Sequence, residues 1–255
     1  MHPFLKKIGY PVINILTLGR GLVKKINGIS VRFPANYFRY FPEDYESENF
    51  RIISDKVCEG DVVLDIGAHI GLMGVVFGKR VGSNGKVFSF EPTPLSFSVL
   101  KELIRLNGLQ KTVTAVNEAV SAVSGEVTFS ANQDNVSNSL VSYEYNAGHS
   151  LITVKATSID EFVKRQSLSK VNFLKIDAEG VELDVLKGAA ETIKSNRCKM
   201  ILGVHPLAVE AKGDSLREIF DALKQSEYKV FWNGSEINAD LFCAQREVFD
   251  VYCEN

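Results

Sequence analysis

The 255-residue chain has only four cysteines, Cys58, Cys198, Cys243 and Cys253, scattered and without a CxxC pair. A disulfide scaffold is thereby excluded, and a reduced, cytoplasmic setting is expected. No apolar run is long enough to span a bilayer; the N-terminal one is broken by Pro11, and no small-residue cleavage site follows it. No charge of one sign prevails. Lys and Arg number 29 against 31 Asp and Glu, so no nucleic acid or anionic membrane is demanded as partner. Repeats, low-complexity tracts and a GxxxxGK[ST] phosphate loop are all lacking. The triplets starting at Asn135 and Asn233 match glycosylation sequons, which carry little weight without an export signal. What is present is a 45% apolar content, enough for one large α/β domain.

Near the N-terminus, Lys6, Lys7, Arg20, Lys24 and Lys25 flank apolar residues. Such an arm can touch a membrane surface, or pack on its own domain or on a second copy in a homodimer; packing is the expected role. Residues 28–33 read as a strand. Aromatics follow in a Pro-punctuated loop, Phe33, Tyr37, Phe38, Tyr40, Phe41 and Tyr45. They serve as core or as a lid, and core is the commoner use.

From residue 60, short apolar runs alternate with helix-period segments, the signature of a parallel sheet covered on both faces. Strands are expected over 62–66, 86–90, 113–117, 171–176 and 199–204. Helices are expected over 72–81, 94–107, 181–195 and 216–225. Segments 126–130 and 151–156 read as added strands around a polar loop, 132–149, which closes over an acceptor or merely connects. Ser158 and Glu161 make a capping-box pattern. Strands 229–232 and 248–252 lack a helix-length link and are expected to pair antiparallel. The expected fold class is α/β: a sheet mostly parallel with one antiparallel strand, helices on both faces.

The strongest local signal is Val63-Leu-Asp-Ile-Gly-Ala-His-Ile-Gly71, a strand, an acidic residue, a glycine turn and a helix start. Glycine is needed where backbone turns sharply against a ligand, and the next helix offers free N–H groups. A dinucleotide fingerprint would need glycines at 67, 69 and 72, where His69 and Leu72 fail it. The spacing fits acidic-x-Gly-x-Gly-x-Gly, the first motif of class I methyltransferases, with Asp65, Gly67 and Gly71 in place and His69 at the middle glycine. His is tolerated at positive φ. Glu91, ending the next strand before Pro92, can accept both hydroxyl hydrogens of a ribose. Asn117, Glu118 and Ala119 follow the third strand, where a side chain or backbone N–H can read an adenine edge.

A longer motif runs Leu174-Lys-Ile-Asp-Ala-Glu-Gly-Val-Glu-Leu-Asp-Val-Leu-Lys-Gly-Ala189. With the glycine loop, Phe90-Glu-Pro92, Glu118-Ala-Val120, Thr157-Ser-Ile-Asp160 and Val204-His-Pro206 in that order, residues 45–233 resemble the FkbM methyltransferase family. The resemblance implies a Rossmann-like class I methyltransferase domain over 51–255, with 1–50 as an arm packed on it. It implies S-adenosyl-L-methionine as cofactor, S-adenosylhomocysteine as product, and O-methylation of a small molecule, sugar, glycolipid or polyketide. The residues it assigns to the cofactor are Asp65, Gly67, Ala68, His69, Gly71, Glu91, Pro92, Glu118, Ala119, Asp177 and Glu179. Three positions depart from the family: His69 for Asn, Ala178 for Val, and Gly203 where a Glu often precedes Val-His.

Methyl transfer to an alcohol needs alignment and a base. Asp177 and His205, ending the fourth and fifth strands, are the candidates, and His has the better unperturbed pKa. Glu179, Glu182 and Asp184 crowd a helix start, where acids complement the dipole. No metal-ligand spacing is present, so no metal site is assigned; oxygen and imidazole donors at 177, 179, 182 and 205 leave Mg2+ assistance open but not expected. His2 and His149 read as surface residues. The competing readings are an N-methyltransferase, a non-catalytic S-adenosylmethionine-binding regulator, and a nicotinamide oxidoreductase.

Overall fold

The computed structural model describes residues 17, 19–132 and 149–255. The expectations placed on residues 1–16, on the 133–148 loop and on the Asn135 sequon lie outside them. In chain order, a hairpin β1 (Leu22–Ile26) and β2 (Ile29–Phe33) precedes helix α1 (Ser47–Lys56), then β3 (Val62–Ile66), α2 (Leu72–Val81), β4 (Lys86–Phe90), α3 (Pro94–Leu106) and β5 (Val113–Val116). A small sheet is built from β6 (Ala119–Val120), β7 (Gly125–Asn132) and β8 (His149–Thr157), followed by α4 (Ile159–Arg165). The chain closes with β9 (Phe173–Asp177), α5 (Glu182–Lys187), α6 (Ala190–Asn196), β10 (Lys199–Val204), α7 (Pro206–Lys212), α8 (Leu216–Gln225), β11 (Lys229–Trp232), β12 (Ser235–Glu236), α9 (Ala239–Cys243) and β13 (Phe249–Glu254).

The eight-stranded main sheet runs β12-β11-β13-β10-β9-β3-β4-β5. β10, β9, β3, β4 and β5 pair in parallel, and β13 lies antiparallel to both β10 and β11. The alternation of a strand sends successive residues to opposite faces. Leu64, Phe88, Leu174 and Leu202 pack into one core half with Leu186, Ile219 and Leu223 of the C-terminal helices. Val63, Val87, Phe173 and Ile201 pack into the other with Val76 of α2, Leu100 of α3, Ile53 of α1, and the hairpin's Val31 and Phe33. The described part of residues 1–50 therefore contributes core. Among the described residues, no helix is long and apolar enough to cross a membrane.

Several elements differ from the sequence expectation. β1 extends the expected strand into a hairpin turning on Asn27 (φ 45) and Gly28 (φ 81), the pair of positive angles a type I′ turn requires. Asn233 (φ 49) and Gly234 (φ 78) make the same turn and add the two-residue β12 at the sheet edge. The helix expected over 181–195 divides at Gly188 and Ala189. A Cβ on Gly188 would sit 2.2 Å from the Ser121 carbonyl oxygen, and the Gly188 carbonyl accepts from Asp160 N–H instead of continuing the helix. Asp160 then caps the second piece, accepting from the N–H groups of Glu191 and Thr192. The capping box expected at Ser158 forms by half: its hydroxyl accepts from Glu161 N–H, while its own N–H goes to Ser124. The reciprocal box stands at Ser215 and Glu218 of α8. Helix α7 was not expected, although Pro206 opens it and Gly213 (φ 95) ends it.

Candidate active site

Along the chain, β3 to β5 build one side of the sheet and β9 with β10 the other, so the order switches between β3 and β9. Ligands of open α/β sheets bind beyond the carboxyl ends of strands at such a switch. Gly67 follows β3 there and Asp177 ends β9. A Cβ on Gly67 (φ +75) would lie 1.9 Å from the Asp177 carbonyl oxygen, so only glycine lets the strand ends meet. His69 (φ 52) and Gly71 (φ 95) continue the left-handed turn. Ala68 N–H donates to the Phe90 carbonyl, tying the loop to β4. The loop thus packs directly on the end of β9 and on Leu100 of α3, with no room for a side chain at Gly67 or Gly71.

Asp65 precedes this loop and is fully buried. Its Oδ2 accepts from Ser89 Oγ at 2.9 Å, and its Oδ1 has no hydrogen-bond partner. Burial raises its pKa to about 6, against the pull of Lys175 and Ser89. The structure therefore places Asp65 in the interior, against Ser89 and the Gly74 backbone of α2. Lys175, the cross-strand neighbour of Asp65 on β9, is buried as well. Burial works against its charge, but Asp177, Glu46, Asp65 and Asp250 outweigh it and hold the ammonium protonated.

Glu91 is 7% exposed. Its carboxylate accepts from the Thr93 N–H and hydroxyl, and from the His69 backbone, so it bridges the second strand and the glycine loop. Burial lifts its pKa to about 7 against those donors. Asn117 Nδ2 donates to the carbonyls of Glu91 and Pro92, at 2.9 and 3.1 Å, which fixes the turn after β4. Glu118 forms an ion pair with Arg165 at 2.6 Å, and Ala119 is a buried strand residue beside β8.

The centre gathers at Asp177. Its Oδ2 accepts from Lys175 Nζ at 2.9 Å, and its Oδ1 lies 3.5 Å from His205 Nε2. Burial pushes its pKa up, but Lys175, His205 and His69 hold it below the ordinary carboxylate range. His205, on the turn between β10 and α7, binds Glu182 Oε1 through Nδ1 at 2.8 Å. Burial opposes its cation, yet Glu182, Asp177 and Glu179 raise its pKa above the usual imidazole value. Glu179 (φ 47) has its pKa raised by burial to about 7, with Asp177, Glu91 and Glu182 adding to the effect. Among the described residues, no group of three or more such donors is placed to hold a metal ion.

Some participants were not singled out from the sequence. Lys175 sits inside the long motif, two residues before Asp177 on β9 and paired with it, and the β9–β3 register sets it beside Asp65 as well. Asp250 is brought to the site by β13: a Cβ on Gly203 would lie 3.0 Å from its Oδ1 and 3.3 Å from Asp177 Oδ1. The missing side chain at 203 therefore leaves the two carboxylates facing across one gap. The aromatic loop divides its work: Phe33 and Phe41 are core, while half-exposed Tyr40 lies against His69 with ring centroids 5.5 Å apart.

The sequence profile of the methyltransferase FkbM domain matches residues 65–230, which take in the glycine loop, Glu91, Asp177, Glu182 and His205. The hexuronic acid methyltransferase AglP of Haloferax volcanii is 28% identical over 183 residues, 68% of this chain and 70% of that protein. Methyltransferase sdnD of Sordaria araneosa is 29% identical over 51% of this chain and 60% of its own length. In architecture, a putative rRNA-methylase from Clostridium thermocellum superposes with a TM-score of 0.52 at 14% identity, over 82% of this chain and 93% of that one. The chain belongs to the FkbM methyltransferase family and is an S-adenosylmethionine-dependent methyltransferase.

Proposed function

We propose that the protein transfers a methyl group to a saccharide hydroxyl, with His205 as the base and Asp177 as the residue that orients the hydroxyl. The observation that carries this reading is the pair of acceptors at the strand ends, His205 Nε2 and Asp177 Oδ1, 3.5 Å apart. The two are not equivalent. Asp177 is held ionised by Lys175, and a carboxylate of depressed pKa is a weak base. His205 is the stronger base, because three neighbouring acids stabilise its protonated form.

The residues around the glycine loop fit S-adenosylmethionine: Glu91, bonded to the His69 backbone of that loop, can accept ribose hydroxyls, and Ala68, His69 and Gly71 supply backbone. Pro92, Glu118 and Ala119 border the adenine end. When bound, the cofactor supplies an electrophilic methyl group on a cationic sulfonium. The acidic surround of Asp177, Glu179 and Glu182 suits a cation and disfavours an anionic acceptor group. A hydroxyl suits this surround better than a carboxylate does. The saccharide class is supported by the relative named for hexuronic acid.

The test is turnover with labelled S-adenosylmethionine and saccharide acceptors. His205→Ala should lower kcat by about 100- to 10,000-fold, the usual worth of a general base. Asp177→Asn should lower it as well, with cofactor binding still measurable in both. Full turnover in either variant would remove that residue from the mechanism.

A further inference from the structure

We propose that Glu182 is a positioning residue for the base: it locks His205 in the tautomer whose Nε2 lone pair faces Asp177, and it balances the imidazolium formed when the proton arrives. This inference rests on the reading of His205 as base.

Acids in a first helical turn normally complement the helix dipole from an exposed position. Asp184 does so, a quarter exposed and paired with Lys212. Glu182 is different, because its side chain is completely buried. Burying a carboxylate costs several kcal/mol unless bonds or opposite charges offset the loss of water. Its partners are few: Oε1 accepts from Gly180 N–H at 2.9 Å and meets His205 Nδ1 at 2.8 Å, while Oε2 has no hydrogen-bond partner. Gly180 (φ 106) and Glu179 (φ 47) form the turn that brings that N–H into place. The group that answers this buried charge is therefore the imidazole.

Glu182 Oε1 already accepts from Gly180 N–H and lies nearer the ring (2.8 Å) than Asp177 Oδ1 does (3.5 Å), so the single hydrogen of the neutral ring belongs on Nδ1 and its lone pair on Nε2, the atom that faces Asp177. In the transfer step the acceptor O–H bond breaks and its proton goes to Nε2. The oxygen lone pair forms the new C–O bond, and the electrons of the broken carbon–sulfur bond stay on sulfur. Glu182 Oε1 faces the new cation through Nδ1. The charged groups facing His205 come from three places: Asp177 from β9, Glu179 from the turn, and Glu182 from α5.

The test is a 15N NMR titration of the His205 ring in the full chain, without cofactor or acceptor, beside pH profiles of kcat/KM. The His205→Ala spectrum assigns the ring among four histidines. In the wild type, the neutral ring should show hydrogen on Nδ1; hydrogen on Nε2 would overturn the proposal without any Glu182 variant. Glu182→Gln keeps an acceptor oxygen but removes the charge. It should lower the His205 pKa, move the acidic limb of kcat/KM down by the same amount, and reduce kcat by about tenfold or more. A His205 titration unmoved by Glu182→Gln would make Glu182 merely structural and end the proposal. A moved titration with an unmoved rate profile would instead overturn His205 as base, while leaving the Glu182 contact intact.

Discussion

Replacing Gly67 by Ala tests the geometry on which the site depends. The added Cβ would sit 1.9 Å from the Asp177 carbonyl oxygen, whereas real Cβ contacts essentially never fall under 3.0 Å. The ends of β3 and β9 must therefore separate by about 1 Å, and overpacking of this kind costs about 1–3 kcal/mol. The left-handed backbone adds about 1–2 kcal/mol for a residue with a Cβ. A total of about 2–5 kcal/mol leaves a domain of ordinary stability, about 5–15 kcal/mol, still folded. The larger effect falls on catalysis, because a misplacement of about 1 Å can cost about 100-fold in rate. Gly108→Ala is the control: its φ is +69 but nothing lies within 4 Å of the new Cβ, so only the backbone cost applies. Urea unfolding should rank the variants wild type, Gly108→Ala, Gly67→Ala, and only the last should lose turnover. A Gly67→Ala protein as stable as Gly108→Ala and fully active would refute the claim that the strand ends must meet.

Two further outcomes follow from the buried charges. Glu91 has its pKa raised by burial to about 7, so it is ionised above that pH and protonated below it. S-adenosylmethionine affinity measured by calorimetry should therefore rise as pH increases through about 7. Glu91→Gln should remove that step and cost about tenfold or more at pH 8, the worth of a charge-assisted hydrogen bond. Lys175→Met would leave Asp65 and Asp177 without their cation, a loss of about 3–5 kcal/mol for a broken buried pair. Thermal melting should show the larger deficit at pH 8 and a smaller one at pH 5, where the acids take up protons.

How much the sequence disclosed depended on the range of the interaction. The parallel strands, their helices and the antiparallel β13 follow from periodicity and punctuation that stand in the chain itself. The Asn27-Gly28 and Asn233-Gly234 hairpins and helix α7 were legible in the same way, through turn pairs and a Pro–Gly bracket, though only structure drew them out. The break at Gly188 was not legible, because it answers to the backbone of Ser121, far away in sequence. The site divides likewise. Asp177 and His205 end strands, and that placement marks them. Glu182 looked like one more helix-start acid, and its role depends on burial and on a partner 23 residues away. Asp250 reaches the centre only through the β10–β13 register, and Lys175 reaches Asp65 only through that of β9 and β3.

The most direct measurement follows a labelled methyl group from S-adenosylmethionine into a panel of saccharides that includes a hexuronic acid, with mild alkali applied to the product. The expected result is label bound to the sugar as an ether, retained after alkali and lost in His205→Ala. Label released by alkali would put the methyl group on a carboxylate, and label on an amine would put it on nitrogen; either would contradict transfer to a hydroxyl.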